Sequence, residues 1–300
     1  MNAESTPNYL DPQVLSGLQG LMLRTRHVID GFLSGTHASP QAGVSSEYTQ
    51  HRPYVPGDDL RRLDWKAYGR TDRLYVRQYS EETNLACTFL LDASASMTYQ
   101  GSRSPLSKYQ YASCLVASLA WLLRDQGDAV GLALCHSGAA HRLPPAAIER
   151  QLSDILKQIE TTRPAGNESP ARALRDWAIR AEHRQLVVLV SDLLTDVDAL
   201  LKSLSDLRQF GHEVIVFQVN DLDELDFPFD RFTEFTGVES GQMNALDADL
   251  YRTGYLEKFA DFQRQLQVGC ERAAIDFLSL SSLDSLGLAL GRFLTLRNLK

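Results

Sequence analysis

The chain has 300 residues, 44% of them hydrophobic and 23% charged, and 38 acidic side chains against 30 basic ones leave a formal charge of −8. That is globular composition with enough chain to bury a core, which excludes fibrous, collagen-like and wholly disordered classes. At ~150 residues per domain the length allows one large domain or two modest ones, and the acidic balance disfavours a whole-chain nucleic-acid binder while leaving room for a local basic patch.

In chain order, residues up to about Pro7 are expected to fray. Asp11 and Pro12 then make a helix-start signal, and Val14, Leu15, Leu18, Leu21, Met22, Val28, Ile29 and Phe32 fit an amphipathic helix or a broken pair of helices. Residues 31–46, rich in Gly, Ser, Pro and Ala, read as loop. The segment 48–77 mixes aromatics, arginines and acids without helical periodicity.

From Leu85 the pattern changes to short apolar strands alternating with helices. Strands are expected at 85–91, 129–135, 139–143, 185–190, 213–219 and 275–279. Helices are expected from Ser104-Pro105 to about Arg124, then at 147–159, 171–181, 197–210, 251–274 and 283–296. Residues 221–249 form an acidic, Phe-rich stretch of weak periodicity.

This alternation predicts an α/β fold: a doubly wound, mostly parallel sheet with helices on both faces, preceded by an N-terminal helical and irregular β extension. The organisation expected is an extension over 1–83 and an α/β domain over 84–300, with an insertion at about 221–250. Phe89, Leu91, Val116, Leu119, Leu132, Leu134, Val188, Leu189, Ile215 and Phe217 are the expected core.

Cys87, Cys114, Cys135 and Cys270 stand far apart in apolar runs with no C-x-x-C pair, which predicts buried reduced thiols rather than a zinc knuckle or a disulfide framework. The N-terminus lacks the basic and apolar regions of a signal peptide, and the uncharged stretch 109–123 is too short to span a bilayer, which takes ~20 apolar residues. A soluble cytoplasmic protein with no membrane partner is therefore expected.

Two polar clusters fall at expected strand ends: Asp92-Ala93-Ser94-Ala95-Ser96, and Ser191-Asp192. Ligands of doubly wound sheets bind at the carboxyl ends of strands, where the order reverses. Alternate residues of an extended loop turn to one side, so Asp92, Ser94 and Ser96 present one carboxylate and two hydroxyls, and Asp192 adds a second carboxylate. Hard oxygen donors in an incomplete shell suit Mg²⁺, which keeps several waters. The alternative is a strand-to-helix turn whose Asp and Ser side chains only bind backbone amides.

The run Phe89–Met97, with Val190-Ser191-Asp192 downstream, is similar to the metal-ion-dependent adhesion site of von Willebrand factor A domains. Residues 51–82 more specifically resemble the hallmark of the bacterial domain of unknown function 58 family, R-x-Y-x-x-G-D-D-x-R-x-x-D-W-x-x-x-x-R, here Arg52 to Arg70. The resemblance extends to the late aromatic element from Phe227 to Gly241.

The resemblance implies a von Willebrand factor A-like domain acting as a binding scaffold. Ser94 and Ser96 would ligate Mg²⁺ directly, Asp92 and Asp192 would bond its waters, and a partner's carboxylate would complete the shell. It also implies a MoxR-type AAA+ ATPase partner and a chaperone-like role toward an unknown client protein. One position departs from the pattern, because Glu168 stands where the adhesion site uses a threonine. Glu168 could ligate the cation and make the site more negative, or point to solvent with Ser169 or nothing supplying the hydroxyl. The added charge should weaken recruitment of an acidic partner.

Within 52–79, Arg52, Arg61, Arg62, Lys66, Arg70, Arg73 and Arg77 lie among Tyr54, Trp65, Tyr68, Tyr75 and Tyr79. That could be a stacking surface for single-stranded nucleic acid. Because Asp58, Asp59, Asp64 and Asp72 are interleaved, an internal charge network is favoured; a docking face for the ATPase is a third possibility. His136, His141, His183 and His212 lack the spacing of a zinc hydrolase.

The function expected is therefore a non-catalytic, metal-dependent interaction module. One alternative is a Mg²⁺-dependent phosphohydrolase with Asp92 as nucleophile. That chemistry wants a second carboxylate where Ser94 stands and a lysine for the phosphate, for which Lys108 is the only nearby candidate. The other is a single-stranded nucleic-acid binder through 52–79. No G-x-G-x-x-G or G-x-x-x-x-G-K-[ST] loop is present, which removes the usual phosphate cradle of nucleotide binders.

Overall fold

The computed structural model describes residues 19–36, 51–53, 75–77, 86–136, 142–181, 183–229, 232–236 and 243–298. A six-stranded sheet is built from β3 (Ala86–Asp92), β4 (Ala129–Cys135), β5 (Arg142–Ala146), β6 (Leu186–Ser191), β7 (Glu213–Asn220) and β10 (Asp276–Ser281). Its order is β10-β7-β6-β3-β4-β5, parallel throughout except for β5. The chain winds outward from β3 through β4 to β5, then returns to the other side of β3 for β6, β7 and β10. The order therefore reverses between β3 and β6, where doubly wound sheets open a crevice at the carboxyl edge. This is the doubly wound, mostly parallel architecture expected of a von Willebrand factor A-like domain.

The central strands are buried on both faces, which is why they read as unbroken apolar runs. Their alternation of side chains divides the core into two layers. Phe89, Leu91, Leu132, Leu134, Val188, Val190, Ile215 and Phe217 join the first layer; Leu90, Ala133, Val187, Leu189, Val214 and Val216 join the second. The first layer is covered by α1 (Leu21–Thr36), α2 (Lys108–Asp125), α3 (Gln151–Thr161) and α8 (Leu286–Asn298). The second is covered by α4 (Pro170–Ala178), α5 (Val197–Gln209) and α7 (Ala248–Arg272). Every core residue expected from sequence is buried, and the four cysteines are buried free thiols.

Helix α2 starts later than the Ser104-Pro105 signal suggests. Ser107 is its N-cap, accepting from the Gln110 amide at 3.2 Å while the Gln110 side chain accepts from the Ser107 amide at 3.0 Å. Lys108 follows as the first helical residue, and the helix is buried almost all round. On β4, Gly131 marks the close approach of the proline-bearing edge strand β5: a Cβ there would meet the Leu143 carbonyl and the Pro145 nitrogen at 2.7 Å.

The chain separates into two compact units, residues 1–35 with 85–300, and 36–84. The larger unit thus takes helix α1, whose Leu21, Val28 and Ile29 join the first core layer. That helix runs to Thr36, into the stretch expected to be loop, because packing outweighs the poor helix propensity of Gly31. In the smaller unit the described residues are β1 (His51–Pro53) and β2 (Tyr75–Arg77), paired antiparallel.

The acidic, Phe-rich insertion folds as α6 (Leu222–Asp226), an antiparallel hairpin of β8 (Phe232–Thr236) and β9 (Met243–Asp247), and the first turn of α7. Phe227 caps α6 at φ 47°, a left-handed conformation held by its ring packing on Tyr255 at 4.6 Å and Phe235 at 5.7 Å. Among the described residues, no helix is long and apolar enough to cross a membrane.

Candidate metal centre

The loops after β3 and β6 meet at the switch point. Asp92 ends β3 and is 1% exposed. One of its carboxylate oxygens accepts from the Ser94 amide at 2.9 Å, and the other from the Ser191 hydroxyl at 2.5 Å. Ser191 thereby ties the two loops together, a role absent from the sequence reading. The Ser94 and Ser96 hydroxyl oxygens lie 3.0 Å apart. The 165–166 backbone braces this loop, with the Ala95 amide on the Gly166 carbonyl at 2.8 Å and the Ala165 amide on the Ala93 carbonyl at 2.9 Å.

Asp192 is 2% exposed and accepts from Leu194 N at 3.2 Å on one oxygen. Leu193 between them is buried at φ 60°, a left-handed conformation enforced by the packing of the loop. The other Asp192 oxygen accepts from the Lys108 ammonium at 2.9 Å, and the same ammonium reaches Glu224 of α6 at 2.6 Å. Burial pulls the Lys108 pKa down, but Asp192 and Glu224 more than reverse this, so the net direction is upward and the ammonium is held charged. From the sequence, Lys108 is only the nearby lysine that a phosphate at Asp92 would need. Its signal was a lone lysine opening an otherwise apolar helix.

Burial first, and then the charge of Asp192, push the Asp92 carboxyl up to about 7. Lys108 thus neutralises Asp192 and Glu224, while Asp92, which has no cationic partner among the described residues, is bonded by the Ser94 amide and the Ser191 hydroxyl. The Ser94 and Ser96 hydroxyls are hydrogen-bonded to each other at 3.0 Å, an ordinary spacing for a hydroxyl pair that also brings both oxygens within reach of one ion. Were magnesium bound here, Ser94 and Ser96 would be the residues to hold it and Asp92 would accept from its waters; among the described residues no group of three or more His, Cys, Asp or Glu side chains is placed to hold a metal ion.

Glu168 is not drawn into these contacts. It pairs with Arg172, one helical turn on, at 3.4 Å, and its charge instead raises the pKa of buried Cys135, after burial itself and Asp92. The neighbouring Ser169 hydroxyl bonds Thr195 at 2.9 Å, joining the loop before α4 to the loop after β6. Of the aromatic and arginine segment 52–79, residues 54–74 and 78–79 lie outside the described residues.

Uncharacterised proteins Mb1516 of Mycobacterium bovis and Rv1480 of Mycobacterium tuberculosis are each 28% identical over 244 residues, 80% of this chain and 75% of theirs. Among solved structures, BatB from Bacteroides thetaiotaomicron is similar with a TM-score of 0.49 and 15% identity, over 72% of this chain and 100% of that one. The VWA domain of SpRpn10 is similar with a TM-score of 0.44 and 10% identity, over 70% and 95%. The family model described as protein of unknown function DUF58 matches residues 50–265, and the chain is a member of that family.

Proposed function

We propose that the protein is a non-catalytic, metal-dependent interaction module. It would hold Mg²⁺ at the switch point and act with a MoxR-type AAA+ ATPase, the partner its family resemblance implies, on a client protein. The observation that carries this reading is the convergence of the Ser94 and Ser96 hydroxyls, hydrogen-bonded to each other, with the buried carboxylate of Asp92, which accepts from the Ser94 amide. A bound Mg²⁺ would supply a coordination position for a partner's carboxylate. The chain's own residues prepare that position: Ser191 and the Ser94 amide orient Asp92, and Lys108 neutralises Asp192. Glu168, held by Arg172, leaves the threonine position of the adhesion site to the Ser169–Thr195 hydroxyl pair or to water.

The phosphohydrolase reading needs a free cation for the phosphate, and Lys108 is fully buried between two carboxylates. A module reading therefore accounts for more of the geometry. The test is calorimetric titration with Mg²⁺, combined with co-elution of the purified ATPase in Mg²⁺ and in chelator. Native protein should bind Mg²⁺ and retain the ATPase only with the ion present, and Asp92→Ala should lose at least tenfold in both. Co-elution unchanged by Asp92→Ala and by chelator would overturn the reading, as would turnover of phosphoesters that Asp92→Ala abolishes.

A further inference from the structure

A second concave site lies beside the metal loop, and none of Asp92, Ser94, Ser96 or Asp192 lines it. It is a cavity of about 190 Å³ between α4 and strands β3 and β4. Its apolar wall is formed by Leu90, Ala133, Leu134 and Ala173, and its polar groups are mainly donors.

Arg142 stands with its guanidinium 6.0 Å from the centroid of the Trp177 ring. One terminal nitrogen of Arg142 donates to the Arg180 carbonyl at 3.3 Å, but its buried Nε–H has no acceptor. Trp177 is 3% exposed, lines the cavity, and has an indole N–H that also lacks an acceptor. The two acids on the wall, Glu168 and Asp176, are both engaged by Arg172, at 3.4 and 3.9 Å. Arg142 and Arg180 have no carboxylate partner among the described residues.

Buried polar groups in native proteins almost always find partners, so two orphaned donors, both sealed from solvent on residues that line one cavity, call for an explanation. Both orphans are donors, and the surplus charge on the wall is positive. A missing ligand must then bring acceptors and negative charge. An arginine fork over an aromatic face is suited to planar or tetrahedral oxyanions, and the apolar wall strengthens such a contact by lowering the local dielectric. The volume is below the ~300–1,000 Å³ usual for drug-sized ligands, so the group received is small.

We infer that the cavity between α4 and β4 is a binding site for a small oxyanion, a carboxylate or a phosphate, held by Arg142 with Arg180 and Trp177. Glu168, the candidate at the threonine position of the adhesion site, lines this cavity too, but Asp92, Ser94, Ser96 and Asp192 do not, so the cavity can be tested apart from them.

The indole N–H signals of Trp65, Trp121 and Trp177 in ¹⁵N-labelled full-length protein provide the readout, with Trp177→Phe assigning the relevant one. Sodium acetate and sodium phosphate are titrated separately, at ionic strength held constant with chloride. The Trp177 signal should shift saturably with one or both anions while Trp121 stays in place. The tighter of the two identifies carboxylate or phosphate as the natural chemistry. Arg142→Gln should weaken binding at least tenfold, and the exposed-site variant Arg180→Gln severalfold, which keeps the test open if the first variant folds poorly. A linear drift shared by all three indoles, a shift with chloride alone, or unchanged affinity in both variants would sink the inference.

Discussion

Lys108 has its ammonium fully buried between Asp192 and Glu224, with side-chain exposures of 0%, 3% and 18%. Deleting one member of such a cluster leaves the others buried and uncompensated, which costs more than the pair itself contributes. Lys108→Met keeps most of the stem's volume and removes only the charge. It should therefore destabilise the protein by ~3–5 kcal/mol in urea unfolding at pH 7. The double variant Lys108→Met/Asp192→Asn should recover part of that loss, because one orphaned charge is gone. Equal stability of Lys108→Met and native protein would mean the ammonium is not the counter-charge of these carboxylates. Asp92, Ser94, Ser96 and Asp192 were all visible from sequence as loop residues at strand ends. Lys108 was legible only as a phosphate partner and Ser191 only as part of the second loop cluster, because their actual roles depend on which strand neighbours which and on where a helix begins.

At the scale of elements, loops around the sheet are fastened by single side chains that take an unusual state. His212, at the entry to β7, is buried with its Nδ1 accepting the Gln185 amide at 3.2 Å, next to the start of β6. Burial lowers its pKa, and the nearby Arg184 charge acts in the same direction. A histidine kept neutral by the fold takes up its proton more readily when unfolded. Its contribution to stability is then complete above the unfolded value of ~6.5 and is lost as pH falls below it toward the folded value. Asp92, with its raised carboxyl pKa, contributes in the opposite sense over this range, so the readout is the difference: native minus His212→Phe unfolding free energy should decline between pH 7 and 5.5, the variant keeping a ring against Trp177, now 5.1 Å away. An identical slope in the variant would remove His212 as the cause. Element boundaries shifted by a few residues for similar local reasons: the Ser107–Gln110 capping box starts α2 downstream of the expected proline signal.

For the whole molecule, the sheet's burial sets the order in which it opens. Strands β3, β6 and β7 are almost wholly buried, whereas edge strands β5 and β10 are partly exposed. Amide hydrogen exchange should accordingly be slowest in β3, β6, β7 and α2, and measurably faster in β5 and β10. Slowest exchange in an edge strand would contradict this distribution of stability.

Composition and periodicity alone determined the α/β class, the alternation of strands and helices, the core positions and the oxygen-bearing loop tips. Those properties follow from local chemistry, since a strand buried on both faces must be apolar along its length wherever it sits in the sheet. Only the tertiary structure decided that β6 lies against β3 and that Lys108 reaches Asp192. It also decided that residues with orphaned donors come together around a cavity beside the 92–96 loop. The β3–β6 and Lys108–Asp192 contacts join residues 99 and 84 apart in sequence, and no local pattern carries the direction of a side chain across such a separation.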